Sequence, residues 1–127
     1  MIDPREFRRT IGLFGTGVTV LASGEGDELR AMTANAVTSL SLEPMLLIAC
    51  IHKKARIVAN LNKGWGFSVN ILRQEQQPLS NYFAGAWHED EPPHFDFVPM
   101  DGGPRLVGCS ASIGCRLNEL LPGGDHW

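Results

Sequence analysis

The chain has 127 residues, 43% of them hydrophobic and 20% charged, with a net charge of −3. That length suits one domain, 1–127, with a real core, and an acidic balance without a basic tail excludes nucleic acid as the main partner, since phosphate binding needs clustered Lys and Arg. Fourteen glycines and eight prolines imply many turns, more typical of a β-rich fold than of a helical bundle.

The opening DPREF predicts a helix start. Asp3 caps, Pro4 suits the first helical position, and Glu6 completes a capping box. Phe7, Ile11 and Phe14 then share one helical face, and Gly12, Gly15 and Gly17 end the helix. GVTVLAS (17–23) reads as a strand, GEGDE as a turn, and residues 29–42 as one second strand that stops before Pro44. MLLIACI (45–51) is a third strand, expected to be buried on both faces. It is far too short to span a bilayer, and the charged opening is not a signal peptide, so a reduced cytoplasm is the expected location. Cys50, Cys109 and Cys115 are odd in number and lack CxxC spacing, which predicts buried free thiols rather than a disulfide or a metal site.

Residues 53–64 read as a short helix with Ile57, Val58 and Leu61 facing the core and Gly64 just past its end. Residues 65–72 alternate like a strand, and 74–85 read as helical after Pro78. Residues 86–104 form a long loop with at most a short strand at 95–98. There His88 and His94 lie among acids and invite a metal reading, but the prolines and charge favour an exposed loop. Residues 105–121 put Ala111, Ile113, Cys115 and Leu117 on one face and Ser112, Gly114 and Arg116 on the other. After the PGG turn, DHW ends where a returning strand is expected, so the chain reads as C-terminally incomplete. The order β-β-β-α-β-α-β, without repeated βαβ units, predicts a mainly β, small antiparallel barrel with short flanking helices.

Chemistry is concentrated in two stretches. On MTANAVTSLS, Thr33, Asn35, Ser39 and Ser41 share one strand face, with Ala34 and Ala36 on the core side. This is either a solvated face or a wall against which a flat ligand can approach the backbone. Lys53, Lys54 and Arg56 at a helix start suit a phosphate, or form a solvated basic helix start. Together they describe a planar, nucleotide-like ligand. HExxH, GxSxG and Walker patterns are missing. GLFGTG follows a helix rather than a strand, so it is not a dinucleotide fingerprint.

FRRTIGLFGTGVTVLAS, MTANAVTSLSLEPMLLIACIHKKARI, GFSVNIL, YFAG and GDH occur in this order over residues 7–126. In this the chain resembles the flavin reductase-like family, the small reductase components of two-component flavin monooxygenases. The resemblance implies an antiparallel split β-barrel that binds FMN or FAD, works as a homodimer, and reduces flavin with NADH or NADPH for a separate monooxygenase. It also implies site residues. Met32, Thr33, Ala34 and Asn35 would line the flavin ring and ribityl chain, with Ser39 and Ser41 further along. Cys50, Ile51 and His52 would offer backbone, and Lys53, Lys54 and Arg56 would meet the phosphate. Phe83 and Gly85 would approach the flavin, and His126 would lie near the nicotinamide as the catalytic residue. Ala55 and Ile57 stand where the family often has Ser or Thr. The competing readings are a flavin- or haem-binding module without turnover, and an inactive truncated fragment.

Overall fold

The computed structural model describes residues 1–127. Its elements run α1 (Pro4–Ile11), β1 (Thr19–Ser23), β2 (Arg30–Ala34), β3 (Val37–Leu42), β4 (Met45–Ala49), α2 (Val58–Asn62), β5 (Phe67–Ile71), α3 (Gln77–Phe83), β6 (Phe97–Val98), β7 (Arg105–Leu106) and β8 (Ala111–Cys115). The fold is mainly β, in three antiparallel sheets. One has four strands in the order β2-β1-β5-β8; β3 pairs with β4, and β6 with β7. No sheet closes into a barrel.

β1 explains the centre. Thr19 and Val20 are β-branched, Ala22 and Ser23 are small, and the strand is flanked by β2 and β5, so all five positions are buried. Alternation then divides the core. Leu21 joins Ile51, Ile57, Val58, Leu61, Phe67 and Val69 on one side of the sheet. Val20 joins Leu79 and Leu106 on the other.

The polar groups inside are fully paired. The Asn70 amide donates to the Val20 carbonyl and to Ser68 Oγ, each at 3.0 Å. Its oxygen accepts from the Leu106 N–H at 2.9 Å and from the Ser112 hydroxyl at 2.8 Å. One side chain thus ties together β1, β5, β7 and β8. The Ser68 hydroxyl donates to the Pro104 carbonyl, which holds the 101–104 loop against the sheet. The approach is close enough that a Cβ at Gly103 would lie 2.5 Å from the Ser68 nitrogen, so only glycine fits there.

Several expectations are corrected. The predicted second strand is two. β2 ends at Ala34, opposite Thr19, the first residue of β1, so its partner runs out and the chain turns away to pair with β4. A bulge between Ser39 and Ser41 then breaks the alternation. Ala36, expected on the core side, is exposed at the corner. MLLIACI is not buried on both faces: β4 pairs only with β3, and Met45 is 83% exposed. The cysteines are free, but Cys50 is exposed and the other two are half-buried. Burial pushes the Cys115 thiol up from its ordinary value.

Asp3 caps α1 as expected, accepting from the Arg5 N–H at 2.7 Å, whereas Glu6 pairs with Arg9 instead of closing a box. The apolar face of α1 meets nothing; none of its residues is buried, and Phe14 beyond it is 75% exposed. The predicted 53–64 helix shrinks to α2, with Ile57, Val58 and Leu61 buried as expected. At the C-terminal end β8 is an edge strand, so Ala111 and Ile113 on the expected apolar face stay exposed, while Ser112 is held by Asn70. No helix is long and apolar enough to cross a membrane.

Candidate functional site

The corner at Asn35 and Ala36 brings three segments together. The Cys50 N–H donates to the Ala36 carbonyl at 2.9 Å. One residue on, Ile51 and Trp127 exchange hydrogen bonds of 2.8 and 2.7 Å, and the Lys53 N–H donates to the Asp125 carbonyl at 2.9 Å. Residues 35–36, 50–53 and 125–127 therefore form one continuous strip. His126 is pinned from its other side by two hydrogen bonds with Gly123 across the PGG turn.

The strip places much of the predicted site, with changes of role. Asn35 and Ala36 are exposed at the corner, and Ser39 is exposed on β3 with Ser41 half-buried after the bulge. The N–H groups of Cys50, Ile51 and Lys53 are already held by Ala36, Trp127 and Asp125, which removes them as donors to a ligand. Lys53, Lys54 and Arg56 lie on the turn before α2 rather than on its first turn, because the helix begins only at Val58. The Lys53 ammonium sits 4.9 Å from the centre of the Trp127 ring, a cation–π contact. Lys54 and Arg56 are exposed and enter no ion pair.

Other predicted wall residues are engaged by the fold itself. Met32 packs on the core and Ala34 is part of it. The Thr33 hydroxyl donates to the Ser80 carbonyl at 2.6 Å, fastening β2 to α3. Phe83 packs edge-on against Phe95, with ring centres 5.0 Å apart, within the aromatic cluster under α3. Gly85, at φ 76°, ends α3 in the left-handed region, which accounts for its glycine without a ligand.

The residue that sequence reasoning left without a role is Asp125. Its Oδ1 lies 2.7 Å from His126 Nδ1, and its Oδ2 lies 3.9 Å from His52 Nε2. The hydrogen bond from His126 is the main reason that its carboxyl is held below the usual carboxylate range, with the His126 charge next. The signal was the acid beside the histidine in GDH. In the 86–104 loop His88 and His94 are exposed, and His94 pairs with Asp96 at 3.6 Å. A cavity of about 570 Å³ lies elsewhere, between Trp65, Phe97, Met100 and the glycines at 24, 66 and 102, and none of the candidate residues lines it.

Residues 11–127 match the flavin reductase like domain. The chain belongs to the flavin reductase-like family. It is 38% identical over 120 residues to the reductase component of 4-hydroxyphenylacetate 3-monooxygenase from Thermus thermophilus, covering 94% of this chain and 75% of that one. To an NADH-dependent flavin reductase of a Rhodococcus species it is 35% identical, covering 98% of this chain and 72% of the relative. Among solved structures, flavin reductase PheA2 superposes with a TM-score of 0.90 at 36% identity, over 98% of this chain and 80% of its own.

Proposed function

We propose that the chain is an NAD(P)H-dependent flavin reductase that supplies reduced FMN or FAD to a separate monooxygenase. The observation that carries this reading is the match to flavin reductases along nearly the whole chain, with the Asp125–His126 clamp lying beside the turn that bears Lys54 and Arg56. Family members named as reductase components of monooxygenases support the partner.

The residues fit such a ligand at particular points. Asn35 and Ala36 are exposed at the corner, and the Asn35 side chain has no protein partner. Lys54 and Arg56, cations without a protein partner, suit the flavin phosphate. Hydride transfer between nicotinamide and flavin is chemistry that the two cofactors supply when bound. The chain has to hold the rings in contact at about 3–3.5 Å and keep water out. In this reading Asn35 and Ala36 border the flavin and His126 borders the nicotinamide. Hydride transfer itself requires no catalytic acid from the chain.

The reading includes a homodimer with a split barrel in each copy. The single chain exposes 9066 Å², against about 6,700 Å² for a compact monomer of its mass. Phe7, Ile11, Leu13 and Phe14 at one end and Leu42 and Met45 at the tip of the β3–β4 hairpin contribute apolar area to that excess. A second copy covers such surfaces in an obligate dimer. Two measurements test the proposal. Added NADH or NADPH should bleach FMN in the presence of the chain, and a chain that binds FMN and leaves it oxidised is a binding module. Sedimentation at micromolar concentration should give a dimer, and a flavin-binding monomer overturns that part.

A further inference from the structure

The cavity of about 570 Å³ has no part in the reductase reading. It lies at the other end of the sheet from the strip. Gly24, in its wall, follows the last residue of β1, whereas Asn35 follows Ala34, the partner of the first. The length of β1 sets the two places about 13 Å apart. The volume falls in the range of small-molecule sites, about 300–1,000 Å³. Half-buried Trp65, Phe97 and Met100 give it two aromatic rings and a thioether, and buried Pro104 adds to the apolar wall. These walls are held in place: the Phe97 ring packs edge-on against Phe95, and the Ser68 hydroxyl ties the 101–104 loop to β5.

Charge decides what such walls can hold. Glu25 is the one charged residue in the lining, exposed at the rim and in no ion pair. Beside the lining in the chain, Asp27, Glu28 and Asp101 stand against Arg30, Lys63 and Arg105. Lys63 is paired with Glu28 at 3.7 Å, and the Arg30 guanidinium donates to the Asp27 and Leu29 carbonyls, each at 2.9 Å. The main-chain N–H groups of Gly102 and Gly103 form no hydrogen bond within the chain and would suit an anion, but an anion there meets Glu25 across the cavity and Asp101 beside it. Trp65 points the other way. Its ring already carries the Lys63 ammonium, 4.9 Å from its centre, and Lys63 does not line the cavity.

We infer that this cavity is a second binding site, which takes an organic ammonium ligand with its charged head against the Trp65 and Phe97 rings and its charge met by Glu25. Aromatic faces attract a desolvated cation through their negative quadrupole, and a carboxylate at the rim supplies the counter-charge. Met100 and Pro104 cover the apolar body of the ligand. Because the cavity and the strip lie at opposite ends of β1, occupancy is independent of FMN, and the inference does not rest on the reductase reading.

The test titrates the full chain with three probes of similar shape: choline, the neutral alcohol with a tert-butyl group in place of the trimethylammonium head, and the tert-butylacetate anion. The readout is the indole N–H signal of Trp65 in proton–nitrogen correlation spectra, assigned with Trp65→Leu; Trp87 and Trp127 lie outside the lining and serve as controls. Choline at millimolar concentration should move the Trp65 signal and leave the other two in place, with an affinity about fivefold or more above that of the neutral alcohol. Glu25→Gln should weaken choline about two- to fivefold and leave the alcohol unchanged. In Trp65→Leu, shifts of the Gly102 and Gly103 amides should report choline binding weakened about tenfold, with FMN affinity unaltered. Equal affinity for choline and the alcohol overturns the cation assignment, as does tighter binding of the anion. A choline response confined to Trp87 or Trp127, or none at all, overturns the site. The probe comparison needs no variant, so it judges the inference even where Trp65→Leu does not fold.

Discussion

The four-stranded sheet and the Asn35–Cys50–His126 strip are built on opposite terms. In the sheet every buried polar side chain is hydrogen-bonded: Asn70 alone serves four partners on β1, β5, β7 and β8. On the strip the backbone is closed, but the side chains of Asn35, Lys54 and Arg56 and the outer nitrogen of His126 have no protein partner. The first arrangement gives rigidity and the second leaves recognition groups available on a rigid base. A polar residue in this chain is therefore read by its partners, not by its type: Thr33 and Asn70 hold the fold, while Asn35 and Lys54 face outward.

The contrast breaks most sharply at Asn70. Asn70→Leu removes four hydrogen bonds and leaves the buried Leu106 N–H without its acceptor, while half-buried Ser112 keeps its contact with Cys109 Sγ; a stranded buried group costs about 1–3 kcal/mol. A total loss above about 3 kcal/mol is expected in urea unfolding, and a loss within error would remove Asn70 from its central role. The strip should behave otherwise. Lys54→Ala with Arg56→Ala should leave the melting curve nearly unmoved while FMN affinity falls by about 1.5–3 kcal/mol per charged contact. Riboflavin affinity should not change, and the FMN advantage should shrink with salt; equal affinities for FMN and riboflavin in the parent chain would refute the phosphate role.

Thr33→Val sharpens the comparison at smaller scale. It keeps the shape of β2 and removes the bond to Ser80, so stability should fall by about 1 kcal/mol, seen as a lower denaturant midpoint. The smallest effect is electrostatic. The folded Asp125 carboxyl titrates below its unfolded value, so its pairing is complete above the ordinary carboxylate range and is lost only as pH falls through the lowered folded value. In His126→Ala the carboxyl carbon signal should titrate nearer the ordinary range, and an unmoved titration would show that His126 does not hold it.

Much of this was legible in the sequence where local pattern and tertiary context agree. Asp3 and Pro4 define a helix start whatever follows, and the β-branched pair Thr19 and Val20 opens an inner strand of the sheet. Ile57, Val58 and Leu61 face the core as their spacing demands. What escaped depends on partners remote in the chain. The break at Asn35 follows from β1 beginning at Thr19, and periodicity within 29–42 carries no trace of it. The packing of Phe83 against Phe95 and Phe97 likewise depends on residues beyond its own segment. The cations stand on the turn before α2 rather than on its first turn, and Asp125 stood out only once its two oxygens were seen to face two histidines.

The bare edge of β8 has a consequence for handling the protein. Only β5 pairs with it, and its other side, beside the exposed Ile113, has no partner strand; the Ala111 and Ile113 carbonyls are met only by the Cys109 and Cys115 thiols. Such an edge is a template for any extended peptide of similar register, including the same strand of a neighbouring molecule. Gly114 cannot be exchanged for a charged gatekeeper, since a Cβ there would run into the Asp101 carbonyl. Ala111 and Ile113, exposed on the same strand and free of that obstruction, are the positions where lysine would blunt the edge and keep concentrated solutions clear.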